Sequence, residues 1–538
     1  MTKSSPTAKN GLRFDWYQPL EADFIDDLAA KVIATIEDSR TSTRGISKQK
    51  AEEREQTQLT IAKHLLSALY GAHHSISNKK TSTRVSVPKT TSKFSGTKKD
   101  SDKIPYSFNY FIAVYNVFIS LKWIKENLGK ETDGYTRIYA INELKATFEK
   151  VGLNWFKQSL RPREDLIVLR DRVETKPKEA RHTSSPKKYK KITMVTPNTP
   201  EVAQMADNLY RYNDFLTKHC VSLSLPDNDL YEIAKSLADN KEKEDGDDEE
   251  NFVDLDLSRV QLRRIFSRGD MKKGGRFYNG WWQSIPSIYR GHITIDGLKT
   301  DESDYSSMSL RILYALKGIA KDPEEDLYDI KLDDWEGNDD PRRSHIKTFI
   351  NALMNDDKGT FKLPKAKLKL IGLEHKELMT KVLEAHEPIA DQLTSGVGLY
   401  TQFLDSQIAE LVMTSMMEDN ILVLPIHDSF RVRLGFKEEL EATMENAFRE
   451  VVGGLVSVKS DGSRLKEHFG LTKEEFNKEE AKYSADPSSN IYSSANLDFD
   501  TLFERTLMND YIGGWETWRS KNTYGTTNVC TTTNILKD

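Results

Sequence analysis

Two aspartates and a small set of basic residues stand where a chain can put side chains to chemical use. Asp304 lies where a polar stretch meets an apolar segment in which Met308, Ile312, Ala315 and Leu316 recur at helix spacing, with Ser306 or Ser307 placed to cap that helix. Asp428 follows the apolar run 421–426 and precedes an alternation of Phe430, Val432 and Leu434 with Arg431 and Arg433, which predicts a hairpin with Asp428 at its tip. Taken alone, each aspartate also fits an ordinary turn residue. In 338–356, Asp339 or Asp340 can cap a helix whose first turn holds Pro341, and Arg343 and Lys347, four apart, project from one face. Such a pair can grip a polyphosphate or form a solvated basic face. In 268–290, Gly274 and Gly275 permit a sharp turn, and Lys272, Lys273 and Arg276 stand beside Tyr278, Trp281 and Trp282. That mixture suits phosphate contact and base stacking, although paired tryptophans also serve as core.

The elements that must position these residues change character along the chain. Residues 14–72 read as helical, with Phe24, Leu28, Val32 and Ile36 at helix spacing, and 104–237 reads as mostly helical too, as in 108–124 and 202–216. Between them, 77–103 is rich in Lys, Ser and Thr, and 176–191 is a second basic stretch; both read as loops, either solvated or touching phosphates. The acidic run 241–250 acts as a solvated boundary. From 252 to 434 short strand-like pieces alternate with helices. A helix over 437–452 follows, and the remainder is a polar, Thr- and Asn-rich tail.

Composition sets the outer limits. The 538 residues are 30% charged, with a net charge of −5 and a mean hydropathy of −0.61, and no apolar run is long enough to cross a bilayer. The start shows no hydrophobic segment of signal-peptide type, which points to the cytoplasm. Cys220 and Cys530 lie far apart and match no zinc spacing, which argues against a disulfide framework and a structural zinc site.

In this order, the segments resemble the family A polymerases, which comprise bacterial DNA polymerase I and the single-subunit phage and mitochondrial RNA polymerases. DYSSMSLR at 304–311 resembles the first aspartate motif of the palm, and HDSF at 427–430 is similar to the second in its RNA-polymerase form. GGRFYNGWWQSIP at 274–286 resembles the Thr-Gly-Arg segment, with Arg276, Gln283, Ile285 and Pro286 on matching places. Arg343 and Lys347 match the basic pair of the fingers helix. The match covers about a third of the chain. The fingers helix within 338–356 lacks the family's Tyr-Gly end, with Asn351, Asn355 and Asp356 in its place, the stretch between the aspartates is short, and Asp254 and Asp256 form an acidic pair without the partners of a proofreading site.

The resemblance implies an α+β right-hand polymerase with an antiparallel-sheet palm at 252–435, helical fingers and a helical thumb-like region at 104–237. It implies nucleotidyl transfer to a 3′ hydroxyl, with two magnesium (or manganese) ions held by Asp304, Asp428 and the Tyr305 carbonyl. Arg343, Lys347, Ser309 and Tyr305 would meet the incoming nucleoside triphosphate. Arg276, Gln283, Lys272, Lys273 and His427 would meet the primer and template. Ser309 occupies the place where the DNA enzymes carry a Glu that blocks the ribose 2′ hydroxyl, which implies a sugar-permissive site. The alternative is a catalytically idle polymerase-fold protein that binds nucleic acid.

Overall fold

The computed structural model describes residues 12–13, 19–39, 47–74, 84–88, 106–127, 135–152, 157–175, 188–225, 259–356 and 361–460, with a few isolated positions between them. Within these residues the chain is a mixed α and β protein whose strands are mostly antiparallel.

The first part builds one hydrophobic core. Helices α1 (Asp23–Asp38) and α2 (Lys48–His74) pack with α3 (Phe108–Ser120) and α4 (Asn142–Val151). They cover a sheet in the order β1-β2-β4-β3, formed by β1 (Leu12–Arg13), β2 (Val85–Pro88), β3 (Ile124–Asn127) and β4 (Tyr135–Ala140). Leu28, Val32 and Ile36 are buried as their spacing predicts. Part of the expected basic loop 77–103 is instead the buried strand β2. Its Val-Ser-Val-Pro run is buried on both faces, Ser86 included, which is hard to see within a lysine-rich context.

The segment 104–237 departs from its helical reading. Besides α3, α4 and α5 (Pro200–Thr217), it supplies β3, β4, β5 (Ile167–Thr175), β6 (Lys188–Met194) and β7 (Val221–Leu223). It is also divided between two cores, since α3 packs in the first and α5 in the next. The basic stretch 176–191 ends in β6, whose paired partner β5 carries Arg170 and Arg172. Cys220 is buried and disulfide-bonded, where the cysteine spacing argued against a disulfide framework; Cys530 lies outside the described residues. The acidic run, Asp254, Asp256 and the tail from 461 lie outside them as well. Among the described residues no helix is long and apolar enough to cross a membrane.

The second core holds two sheets. One runs β6-β5-β8-β9, with β8 (Arg263–Ser267) and β9 (Asp270–Tyr278). After α6 (Ser287–Arg290), the other is fully antiparallel: β12-β13-β11-β10-β7, with β14 also on β11. It comprises β10 (Ile293–Ile295), β11 (Leu298–Tyr305), β12 (Val423–Ile426), β13 (Ser429–Arg433) and β14 (Val458–Ser460). Helix α7 (Met308–Leu316) leaves β11 and faces two ways. Met308 and Ile312 join this core, while Leu310, Leu313 and Tyr314 join a third, helical one. That third core contains α8 (Arg343–Met354), α9 (Lys365–Ile371), α10 (His375–Ala385) and α11 (Ala390–Leu393). Helices α12 (Gly398–Glu418) and α13 (Lys437–Val452) return to the second core.

One local feature brings β9 against α12. The β8–β9 register slips between Ile265 and Ser267, where Ile265 faces Arg276 and Phe266 faces Gly274, so Gly275 is the extra residue of a bulge. Gly275 has φ 82°, and a Cβ there would lie 2.7 Å from the Phe266 ring and 2.9 Å from Ser406 Oγ on α12. Both the left-handed backbone and the missing side chain are therefore required. Gly275→Ala is expected to destabilise the protein by about 2–4 kcal/mol, the sum of backbone strain and overpacking. Gly71→Ala in α2, where a Cβ meets nothing within 4 Å, should be neutral or mildly stabilising. Thermal unfolding of the two variants checks the contrast.

Candidate active site

Asp304 is the penultimate residue of β11, paired in register with Ser429 of β13. The neighbouring position on that side is Asp428, in the two-residue turn that links β12 to β13. The turn is tight because His427 adopts φ 60°, and the Tyr305 amide donates to the Asp428 carbonyl at 3.4 Å. Two adjacent antiparallel strands thus display both carboxylates at one end of the sheet. The expected hairpin is present. Asp304, however, ends a strand rather than simply preceding a capped helix. Ser307 takes the N-cap position of α7 with φ 52°, and its buried Oγ makes no capping bond.

The charges around the two aspartates are unequal. Glu302, two residues before Asp304, is buried and binds Arg431 Nη1 at 2.6 Å, with Ser429 Oγ donating to it at 2.8 Å. Asp405 on α12 holds Arg276, and Glu410 holds the fully buried Arg264 at 2.5 Å. Asp304 and Asp428 form no ion pair among the described residues. Desolvation and the negative charge of Asp428 push the Asp304 carboxyl up to about 7, while Lys347 acts in the opposite sense and Glu302 adds to the rise. Burial, partly offset by Arg276, likewise raises Asp405 to about 6. Desolvation first, and then the Arg276 charge, holds His427 below the usual histidine range.

The basic residues fall into two groups. Lys347 is exposed on α8 and its Nζ lies 5.8 Å from the centre of the Tyr328 ring, with no ion pair among the described residues. Arg343, one turn earlier, is already engaged. It makes a bidentate pair with Asp326 at 2.9 Å for both bonds, and its guanidinium sits 5.0 Å from the same ring. The two residues share a face as predicted, but Arg343 anchors a loop rather than offering all its donors. Asp340 serves the start of α8, accepting from the Arg342 amide at 2.8 Å.

On the other side, Arg276 donates from Nε to Asp405 Oδ2 at 2.6 Å, its Nη2 lies at ion-pair distance from the same oxygen, also 2.6 Å, and the guanidinium lies in the field of Asp428. Gln283 does not project outward. Its amide donates to the Phe277 carbonyl at 2.9 Å and the Pro425 carbonyl at 3.2 Å, tying β9 to β12. Trp281 and Trp282 are core residues, and the Trp282 ring N–H also donates to the Pro425 carbonyl. The Tyr305 side chain is buried with its hydroxyl donating to Met444, which leaves the residue only a backbone role. Lys272 and Lys273 are exposed towards the β8–β9 turn, with Lys273 beside Asp270 at 3.5 Å. Ser309 lies partly buried in the first turn of α7.

Sequence reasoning missed Glu302, Asp326, Tyr328 and Asp405, because each draws its meaning from a partner distant in sequence. Arg311 is another such case. It is buried, and its guanidinium donates to the carbonyls of Ser306, Asp322, Pro323 and Glu325, so it joins the turn after Asp304 to the loop that carries Asp326 and Tyr328.

No family model matches the chain, and no curated protein matches it. Among solved structures, the polymerase domain of Pol1 from M. smegmatis, in complex with DNA primer-template and dNTP, is similar at 13% identity with a TM-score of 0.29. The likeness covers 44% of this chain and 50% of that one, so the chain spans about half of that domain. At this level the comparison carries no weight for the site.

The donor set suits divalent cations. Among the described residues no three His, Cys, Asp or Glu side chains gather as a metal cage. Magnesium is commonly held by one or two carboxylates, with water and substrate phosphates completing its shell. Two carboxylates free of ion pairs among the described residues, with the charge of Asp428 raising the proton affinity of Asp304, form such a set. A linkage follows for the metal-free protein. The folded Asp304 carboxyl, at about 7, lies above its ordinary value of 3.8, so its contribution to stability is full below that value and is lost as pH rises towards 7. Asp304→Asn lacks this loss. In chelator, its melting temperature relative to the wild type should therefore climb between about pH 4 and 7, and added magnesium should narrow the gap at pH 8. A gap independent of pH would remove the mutual repulsion on which the site is read.

Proposed function

We propose that this protein is a template-directed nucleic-acid polymerase that transfers nucleotides to a 3′ hydroxyl by a two-metal mechanism. The observation that supports this reading best is the placing of Asp304 and Asp428, without ion pairs among the described residues, at one end of adjacent strands, with the charge of Lys347 acting on Asp304 from a helix of a different core. Nucleotidyl transfer asks a protein mainly for positioning and charge neutralisation, and this arrangement offers both. Asp304, Asp428 and the Tyr305 carbonyl would hold two magnesium ions, which when bound lower the pKa of an attacking hydroxyl and offset charge on the leaving pyrophosphate. Lys347 meets the triphosphate as a point charge, and Arg276 meets the primer–template near its growing end. Arg343 keeps Tyr328 and the 322–328 loop in place beneath Lys347.

The test is extension of a labelled primer on DNA and RNA templates by the purified protein, with magnesium or with chelator. Metal-dependent, template-specified extension is expected. Binding of primer–template without extension under any nucleotide or metal would leave an idle nucleic-acid-binding protein. The short Ser309 side chain in the first turn of α7 favours a site that accepts both sugar types. Ser309→Glu should then suppress ribonucleotide use and spare deoxynucleotide use, as competition between the two triphosphates would measure.

A further inference from the structure

A third aspartate lies beside the site, and nothing in the sequence singled it out. Asp405 is 3% exposed on α12, in the stretch Phe403–Leu404–Asp405–Ser406, and it faces the bulge of β9. Both Nε and Nη2 of Arg276 reach its Oδ2 at 2.6 Å. The approach depends on Gly275, whose missing side chain lets β9 close on Ser406, the residue next to Asp405. The same contact is reinforced from below: Arg264 donates to the Gly275 carbonyl at 2.8 Å, to Ser406 at 2.9 Å and to Glu410. The bulge and α12 are thus fastened to each other beside the Arg276–Asp405 pair.

The pair is asymmetric. Asp405 is enclosed, whereas the Arg276 side chain keeps 20% of its surface open and feels the charge of Asp428. A guanidinium has five N–H donors in a rigid plane, and Asp405 occupies the edge formed by Nε and Nη2. Among the described residues Nη1 has no hydrogen-bond partner, and it is not a buried orphan atom. The remaining edge of the guanidinium is therefore left without a protein hydrogen-bond partner among the described residues, within the field of Asp428.

We infer that Asp405 is a positioning residue, which holds the Arg276 guanidinium in one orientation so that its free edge can engage the primer–template strand beside Asp428. This rests on the polymerase reading for the identity of the ligand. The pairing itself does not. Without Asp405, Arg276 keeps its charge but gains rotamer freedom, so strand binding weakens while the nucleotide site around Lys347 stays intact.

The experiment is a double-mutant cycle of Arg276→Gln, Asp405→Asn and the double variant. The readout is fluorescence anisotropy of a labelled primer–template, with nucleotide KM measured alongside. Asp405→Asn should weaken primer–template binding about tenfold, the effect of about 1.4 kcal/mol, and change nucleotide KM less than about twofold. In the Arg276→Gln background it should have no further effect. An equal additional loss in that background, an unchanged affinity, or a shift confined to nucleotide KM would each overturn the inference. Should Asp405→Asn fold poorly, Asp405→Glu keeps the charge one methylene further out, and binding between that of wild type and of Arg276→Gln is expected; wild-type binding would count against the role. Anisotropy needs no turnover, so an absence of primer extension by the wild type would sink the polymerase reading while leaving the Asp405 cycle to be judged on binding.

Discussion

Asp304→Ala and Asp428→Ala are each expected to lower primer extension by at least about a thousandfold, since metal clamping of a transferring phosphoryl group contributes several kcal/mol to the transition state. The fold should survive. Neither carboxylate holds a cation among the described residues, and the strands beneath them are fastened by other groups. Arg431 spans the Thr300 hydroxyl, the Thr300 carbonyl and Glu302, and Ser429 adds a bond to Glu302. Removing Asp428 also withdraws the charge that raises Asp304, so its melting temperature in chelator at pH 8 should equal or exceed that of the wild type. Loss of activity together with retained or increased stability is what a charge-strained ligand set predicts. A structural role would predict the opposite pairing, in which the variants unfold and activity falls with the folded fraction. Extension assays and melting curves on the same preparations separate the two.

The hairpin that carries Asp428 was legible in the sequence because its signal is local. An apolar run followed by alternation around His-Asp predicts the β12–β13 hairpin, and it is there with Asp428 in its turn. Helices α1, α8 and α13 were legible for the same reason, through apolar spacing that local physics imposes. What escaped was anything decided by a distant partner. Strands β3 to β7 went unseen within 104–237, because short strands in basic or mixed sequence carry little periodic signal. The internal bonds of Gln283 and of the Tyr305 hydroxyl were equally out of reach, since their partners Pro425 and Met444 lie more than a hundred residues away. Arg343 illustrates the point within one motif. Its spacing from Lys347 was read correctly, but Asp326, which decides how many donors it can offer, lies 17 residues upstream.

That difference between two neighbours on one helix face leads to the other large effect. Lys347→Ala is expected to raise nucleotide KM by about 10- to 100-fold, the value of one or two charge-assisted contacts to phosphate at 1.5–3 kcal/mol. The ammonium is exposed and near the Tyr328 ring, and it is committed to no carboxylate among the described residues, so its removal breaks no internal ion pair. Arg343→Ala, by contrast, would free Asp326 and uncover Tyr328, which should show chiefly as lost stability. The lysine has a second effect that a simple phosphate contact would not produce. Its charge opposes the rise of the Asp304 carboxyl, so without it Asp304 holds its proton to a higher pH. If Asp304 must be ionised for synthesis, activity falls as pH drops through its titration, and Lys347→Ala should move that acidic limb upward. Lys347→Arg should restore the limb, because the charge is kept, while recovering nucleotide KM only in part, because a planar fork replaces a compact ammonium. A KM increase with an unmoved limb would place Lys347 at the phosphate but away from Asp304. An unchanged KM would remove it from the nucleotide site altogether.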